Sequence, residues 1–272
     1  MSALGLHPRW LAALRDGADQ APLRPRVPLW SGLARIGSVE PDFLQRFADL
    51  RQPGGAMLLA CGGPAGSAGW QLLGAATAGL AVLARALHDA GLAGAWRDEQ
   101  LAVCDEASIR LGTVERAAVR PLGIATRAVH LTASAPDGRV WVQQRSLQKA
   151  NDPGLWDTLM GGMVSAADTL QTALERETWE EAGLPLQALA GLRYGGVVTT
   201  RRPAVDGGGA GYVIEDVHWY RAVVPDGALP FNNDGEVAQF ALLAPHEIGP
   251  RLAAGAFTIE AALILAAAFE TP

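Results

Sequence analysis

Glu177, Glu180 and Glu181 stand at positions i, i+3 and i+4 of the stretch Arg176-Glu177-Thr178-Trp179-Glu180-Glu181-Ala182-Gly183-Leu184. On an α-helix this spacing puts three carboxylates on one face. Like charges so placed repel, and the arrangement is kept most readily when a cation sits among them. Carboxylate oxygens are hard ligands, so Mg²⁺ or Mn²⁺ is the natural candidate. A helix is also a rigid mount, which suits ligands and bases that must hold a geometry.

The residues around this face supply its boundaries. Asp168 or Thr169 can cap the helix, and Gly183 followed by Pro185 ends it. Ahead of it, Trp156–Met160 is short and apolar and runs into Gly161-Gly162, with a Pro- and Gly-bearing loop at Asn151–Trp156. Ala125–Thr132 and Val140–Gln144 read as strands joined by a turn at Asp137-Gly138. After the helix, Leu192–Thr200, Tyr212–Val224 and Gly235–Leu243 read as strands, and Pro245–Ala253 and Ile259–Phe269 as helices. Strands and helices mixed in this order predict an α/β fold with a mixed sheet in a three-layer α/β/α sandwich over residues 116–272. Residues 1–115 differ in texture and predict a smaller α+β domain. It shows helical patterning at Trp10–Arg15, Pro41–Arg51 and Trp70–Ala90, a strand within Leu33–Val39, and a Gly-rich connection at Gly62–Gly69 that lacks the Lys-Ser/Thr ending of a P-loop.

Composition narrows the setting. Apolar residues make up 49% of the 272-residue chain and charged residues 18%, enough for a substantial core. The net charge is −6 with no basic run, which excludes a nucleic-acid duplex as the expected partner. Lys149 is the only lysine, a bias that with the abundant Ala and Gly points to a GC-rich bacterial genome. Cys61 and Cys104 form no metal-ligand spacing and are expected as reduced, mostly buried thiols of a cytoplasmic protein. The N-terminus lacks the run of a signal peptide, and neither Gly69–Leu87 nor Phe257–Phe269 is long and apolar enough to read as a membrane span.

The helix and its flanks resemble the Nudix box, G-x(5)-E-x(7)-R-E-U-x-E-E-x-G-U. Gly162, Arg176, Glu177, Glu180, Glu181, Gly183 and Leu184 agree with it, while Asp168 replaces the early Glu and Thr178 an apolar position. The resemblance implies a Mg²⁺- or Mn²⁺-dependent hydrolase of diphosphate linkages. It assigns metal ligation to Glu180, Glu181 and the carbonyl of Gly161, ligation or general-base duty to Glu177, and orientation of these glutamates to Arg176. A further acid from a loop is expected, with Glu236 first, Asp234 second, and Glu215 and Asp216 behind them. For the substrate, Arg145 and Lys149 are candidates to hold phosphate, with Arg193, Arg201 and Arg202 as weaker ones. Trp156 and Tyr194 are candidates to stack on a ring, as are Trp219 and Tyr220. Glu115–Leu131, the run from Val140 to Thr169, and the segment Asn233–Leu243 are similar to the Nudix domain fused in fungi to thiamine pyrophosphokinase, which carries an extra N-terminal domain. That likeness implies a small-molecule substrate such as thiamine diphosphate or its oxidised or deaminated analogues, cut to the monophosphate. It leaves open a homodimer, a nucleotide-sugar substrate, a non-catalytic ligand sensor, and a prenyl-diphosphate isomerase. The isomerase would need a protonating Cys–Glu pair, and both cysteines precede the box domain.

Overall fold

The computed structural model describes residues 4–270. Its larger sheet has the order β11-β12-β7-β8-β13, with β10 paired to β7 and β9 to β8. These strands are β7 (Thr126–Ser134), β8 (Val140–Arg145), β9 (Trp156–Asp157), β10 (Met160–Met163), β11 (Ala190–Ala204), β12 (Gly211–Val223) and β13 (Val237–Leu243). β7 runs parallel to β12, and the other pairs are antiparallel. The period-2 alternation of β7 explains why both faces are covered. Val129, Leu131 and Ala133 pack with Ala173 and Leu174 of α3 (Leu170–Ala182), whereas Ala128 packs with Ile264 of α5 (Ile259–Glu270). The result is the expected mixed α/β layering, with α3 on one face and α5 on the other.

The first half holds a sheet of order β2-β1-β4-β3, built from β1 (Val27–Ser31), β2 (Ala34–Val39), β3 (Leu59–Cys61) and β4 (Trp70–Leu72). It shares one core with α2 (Ala76–Asp89) and with the hairpin of β5 (Gln100–Cys104) and β6 (Arg110–Glu115). Leu4, Leu6 and α1 (Pro8–Ala18) belong elsewhere: they pack with Ile248 of α4 (Pro245–Ala253) and Phe257 near α5, so the chain crosses between cores before β1.

Several local expectations change. Pro41–Arg51 is not an α-helix. Only a 3-10 turn forms at Gln45–Phe47, because Phe43, Leu44 and Phe47 supply one turn of apolar spacing and Pro41 is held by the Trp70 indole N–H at 2.9 Å. Trp70–Ala90 divides into β4 and α2 at Gly74, whose φ of +79° a helix cannot contain. β1, β3, β5 and β6 are strands of only three to six residues and lie outside the expected elements. Cys61 is exposed and Cys104 half-buried, so burial does not protect the first thiol. Among the described residues no helix is long and apolar enough to cross a membrane.

Candidate active site

The box helix is α3. Its N-cap is Thr169 rather than Asp168: the Thr169 hydroxyl accepts from Thr172 N at 3.1 Å, and Thr172 Oγ1 accepts from Thr169 N at 2.9 Å. Gly183 ends it with φ +62°, and a Cβ there would fall on the Phe231 ring. Phe231 N donates to Ala182 O at 3.0 Å and Asn233 N to Glu180 O at 3.3 Å, so the loop that carries Asp234 and Glu236 is docked on the end of α3. β10 passes close to the same helix. A Cβ on Gly162 would overlap the Glu177 carboxyl, and one on Gly161 would overlap the His130 ring. The two glycines are therefore required for close approach.

Arg176 organises one half of the site. Its Nη1 donates to Glu177 Oε1 at 2.8 Å and Glu180 Oε2 at 3.0 Å. Nη2 and Nε grip Asp168 Oδ2 at 2.9 and 3.1 Å. Asp168 thus does the anchoring work of a longer acid, with Ser165 and Thr172 hydroxyls donating to it as well. Burial works against the Arg176 charge, but Glu177 and Asp168 more than offset it and raise its pKa further. Burial raises Asp168 while the bonds to Arg176 outweigh it, leaving that carboxyl below its usual range. Glu177 goes the other way. Burial, with help from Glu181 and Glu180 and against Arg176, pushes it up to about 7. Thr178, at the position where an apolar residue is expected, is fully buried and spends its hydroxyl on Leu174 O at 2.6 Å.

Glu181 centres the other half and is only 1% exposed. Gln143 Nε2 (2.7 Å) and Gly161 N (3.0 Å) donate to Oε2, and Lys149 Nζ (2.8 Å) to Oε1. The same ammonium reaches Glu236 Oε2 at 2.5 Å. Burial would lower the Lys149 pKa, but Glu181 and Glu236 reverse this and raise it. Burial raises Glu236 while Lys149 outweighs it and lowers it; burial dominates at Asp234 and raises it. Amide and carbonyl of one residue in an antiparallel strand point the same way, so the Gly161 carbonyl faces the helix too.

These groups line a cavity of about 520 Å³ that holds ten carboxylates and seven Lys or Arg side chains. Sequence reasoning missed part of its floor. His130 Nδ1 lies 3.0 Å from Thr158 Oγ1, which itself donates to Met160 O, so Nδ1 carries the proton. Asp157 Oδ1 is 3.5 Å from the same nitrogen, and Arg145 Nη1 is 3.3 Å from Asp157 Oδ2. Arg145 does line the cavity, but Asp157 and the Asn151 carbonyl engage its guanidinium. Glu260, 8% exposed, pairs with Arg202 at 3.1 Å, and burial raises its carboxyl to about 7. Single acids and basics scattered over 130 positions leave no spacing signal. Two expectations fail here. Trp156 packs with the α4–α5 core beneath Arg251, 5.8 Å from its ring, and is not a cavity residue. Tyr194 lies exposed on edge strand β11, bonded to His218 at 3.1 Å, also outside the cavity. Trp219 and Tyr220 share that strand pair and do not line it either.

The fit to a divalent cation rests on donor type and convergence. Among the described residues no group of three or more His, Cys, Asp or Glu is gathered around one point. Glu181 and Glu236 do converge on one cation, the Lys149 ammonium. Gln143 Oε1 is buried beside them without a hydrogen-bond partner. Oxygen donors at this spot suit a hard cation, with Glu177 and Glu180 one residue or one turn away.

A sheet flanked by helices, with an acid-bearing helix set against a Gly-Gly strand, defines an α/β domain built around one carboxylate site. The NUDIX domain model matches residues 124–263, more than half the chain, and the chain belongs to that family. An uncharacterised Nudix hydrolase of Pseudomonas aeruginosa is 38% identical over 100 residues, covering 37% of this chain and 54% of that protein. An isopentenyl-diphosphate Delta-isomerase of Leifsonia xyli is 33% identical over 96 residues, covering 34% and 50%. The chain thus spans about half the length of the curated relatives it matches. The crystal structure of DR0079 from Deinococcus radiodurans shares the fold at a TM-score of 0.50 and 23% identity, covering 63% of this chain and 99% of that one.

Proposed function

We propose that the chain is a hydrolase of a diphosphate linkage that works with Mg²⁺ or Mn²⁺. The observation that carries this reading is the pairing of two opposite environments on one helix. Arg176 holds Glu180 and Glu177 in place, and burial keeps Glu177 near neutrality as a proton acceptor. Glu180, Glu181, Glu236 and the Gly161 carbonyl are the residues that would hold the cation, with Glu177 beside them as the base. When bound, the cation stabilises charge on the phosphate oxygens and acidifies a water. Glu177 takes the proton from the attacking water. Arg176 keeps that carboxylate oriented, and Lys149, which lines the same cavity, would be available to a phosphate oxygen.

For the substrate we propose thiamine diphosphate or an oxidised or deaminated analogue, cleaved to the monophosphate. Besides the sequence likeness, the excess of carboxylates in the cavity suits a molecule that joins a cationic ring to an anionic diphosphate. Among the described residues no Trp, Tyr or Phe lines the cavity, so charge would do more than stacking to hold the ring. A nucleotide sugar is the same-class alternative, which a side-by-side kcat/KM comparison separates. The isomerase named among the relatives is disfavoured because neither cysteine lines the cavity. A sensor role is disfavoured because all three box glutamates are retained. Release of monophosphate from a panel of diphosphates with Mg²⁺ tests the proposal, and a wholly inert panel would sink it.

A further inference from the structure

The residues given a role in the proposed reaction all follow position 140, yet the cavity is also lined from the first half of the chain. Arg97, just ahead of β5, and Arg116, at the end of β6, both line it with Lys149 and Glu236. Their mount is tight. Glu115, 2% exposed, accepts from Arg97 N at 3.0 Å and from Ala117 N at 3.4 Å, and Arg116 N donates to Glu99 O at 2.9 Å. The β5–β6 hairpin is in turn fastened to the loop ahead of α3. Ala166 N donates to Gln100 O at 2.7 Å, and Arg110 Nη1 donates to Ala166 O at 2.7 Å. That loop carries Asp168, which grips Arg176. Arg97 and the box glutamates therefore sit on one continuous frame.

Charge pairing singles out Arg97. The other cations of the cavity are each committed: Arg116 to Glu99, Arg120 to Asp206, Arg145 to Asp157, Lys149 to Glu181, Arg176 to Asp168 and Arg202 to Glu260. Among the described residues, no ion pair or side-chain hydrogen bond holds the Arg97 guanidinium. A planar, always-charged fork whose donors are not committed to protein acceptors can be taken up by a phosphoryl group in bidentate fashion.

We infer that Arg97, supported by Arg116, is the subsite for the non-reacting phosphoryl group of the substrate, so that the first half of the chain completes the active site. The inference takes its diphosphate ligand from the function proposed above. It is tested by titrating inorganic pyrophosphate in the presence of Mg²⁺ into the full chain and into Arg97→Ala, Arg97→Lys and Arg35→Ala. Arg35 is a half-exposed arginine of the same half outside this cavity. Arg97→Ala should weaken pyrophosphate about tenfold, the loss of one charge-assisted contact, with Arg97→Lys recovering part of it. Arg35→Ala should stay within about twofold. On the best diphosphate substrate, Arg97→Ala should raise KM with kcat little changed, a split that a merely structural role would not produce. Arg97 is exposed, and an unchanged melting temperature will show that its variant folds. Pyrophosphate binding by Arg97→Ala equal to wild type, or no binding by wild type, overturns the subsite. Binding that falls with Arg97→Ala while no diphosphate is hydrolysed retains the subsite and sinks the hydrolase instead.

Discussion

Arg176 and Lys149 divide the carboxylates between them: Arg176 holds Asp168, Glu177 and Glu180, and Lys149 holds Glu181 and Glu236. The division decides which substitutions are informative. Glu180 keeps 42% of its side chain exposed, so Glu180→Gln should lower kcat by at least two orders of magnitude while the melting temperature holds. Glu181→Gln loses an acceptor that balances a largely buried ammonium, and should cost about 3 kcal/mol of stability in denaturant titration besides its activity. With Glu177 near 7, the protein carries part of a proton there at pH 6.5, and a bound cation requires the carboxylate. Mg²⁺ binding at that pH should release up to about one proton, readable by calorimetry in buffers of different ionisation enthalpy. Glu260 gives a separate pH signature. Burial raises its folded pKa to about 7, above the unfolded value of 4.5, so the folded state binds the extra proton between these values. Stability from this group is present below about pH 4.5 and is lost as pH rises toward 7, at most about 3 kcal/mol. Urea midpoints at pH 5 and 8 should show that fall in wild type and a flatter response in Glu260→Gln.

The elements explain why these residues meet. α3 is capped by Thr169, closed at Gly183 and approached by Gly161-Gly162, and Phe231 fills the space that Gly183 leaves. Gly183→Ala should therefore destabilise the fold by about 1–2 kcal/mol or more, since it adds a Cβ at positive φ and displaces Phe231. It should also lower activity by loosening the loop of Glu236. Within that loop Glu236→Gln should cost more activity than Asp234→Asn, because Glu236 alone of the two meets Lys149; the reverse order would assign the loop acid to Asp234. This helix and its flanks were legible in the sequence, since 3.6-residue spacing, caps and glycines are local signals. Lys149 was legible only as a nearby cation. Its true partners, Glu181 and Glu236, lie 32 and 87 positions on, a distance no local pattern encodes. The aromatic candidates misled for the same reason: Trp156 and Tyr194 flank the box in sequence, but sheet topology sends them to the α4–α5 core and to edge strand β11.

At the scale of the whole molecule, two sheets share a seam. Arg26 bridges it by donating to Ser38 Oγ at 3.0 Å and Ala210 O at 2.5 Å, and Tyr212 donates to Gln20 O at 2.7 Å. The β5–β6 hairpin closes it over the box loop, with Leu101, 2% exposed, bridged to Ser165. Leu101→Ala should cost about 2–5 kcal/mol in denaturant titration and lower activity beyond what lost stability explains, because the hairpin steadies the loop of Asp168. The α/β layering of the larger sheet followed from strand and helix order, whereas the first half of the chain was hard to read. Its strands are three to six residues long and held by long-range pairing, which leaves little periodicity. The proposed hydrolysis of a diphosphate depends on the carboxylates that Arg176 organises. The most direct measurement is monophosphate release from thiamine diphosphate and other diphosphates with Mg²⁺, comparing wild type with Glu180→Gln at matched folded concentration. Wild type should turn over, and the variant should lose at least two orders of magnitude in rate. Near-equal turnover in the two, or none in wild type on any diphosphate, would contradict that proposal.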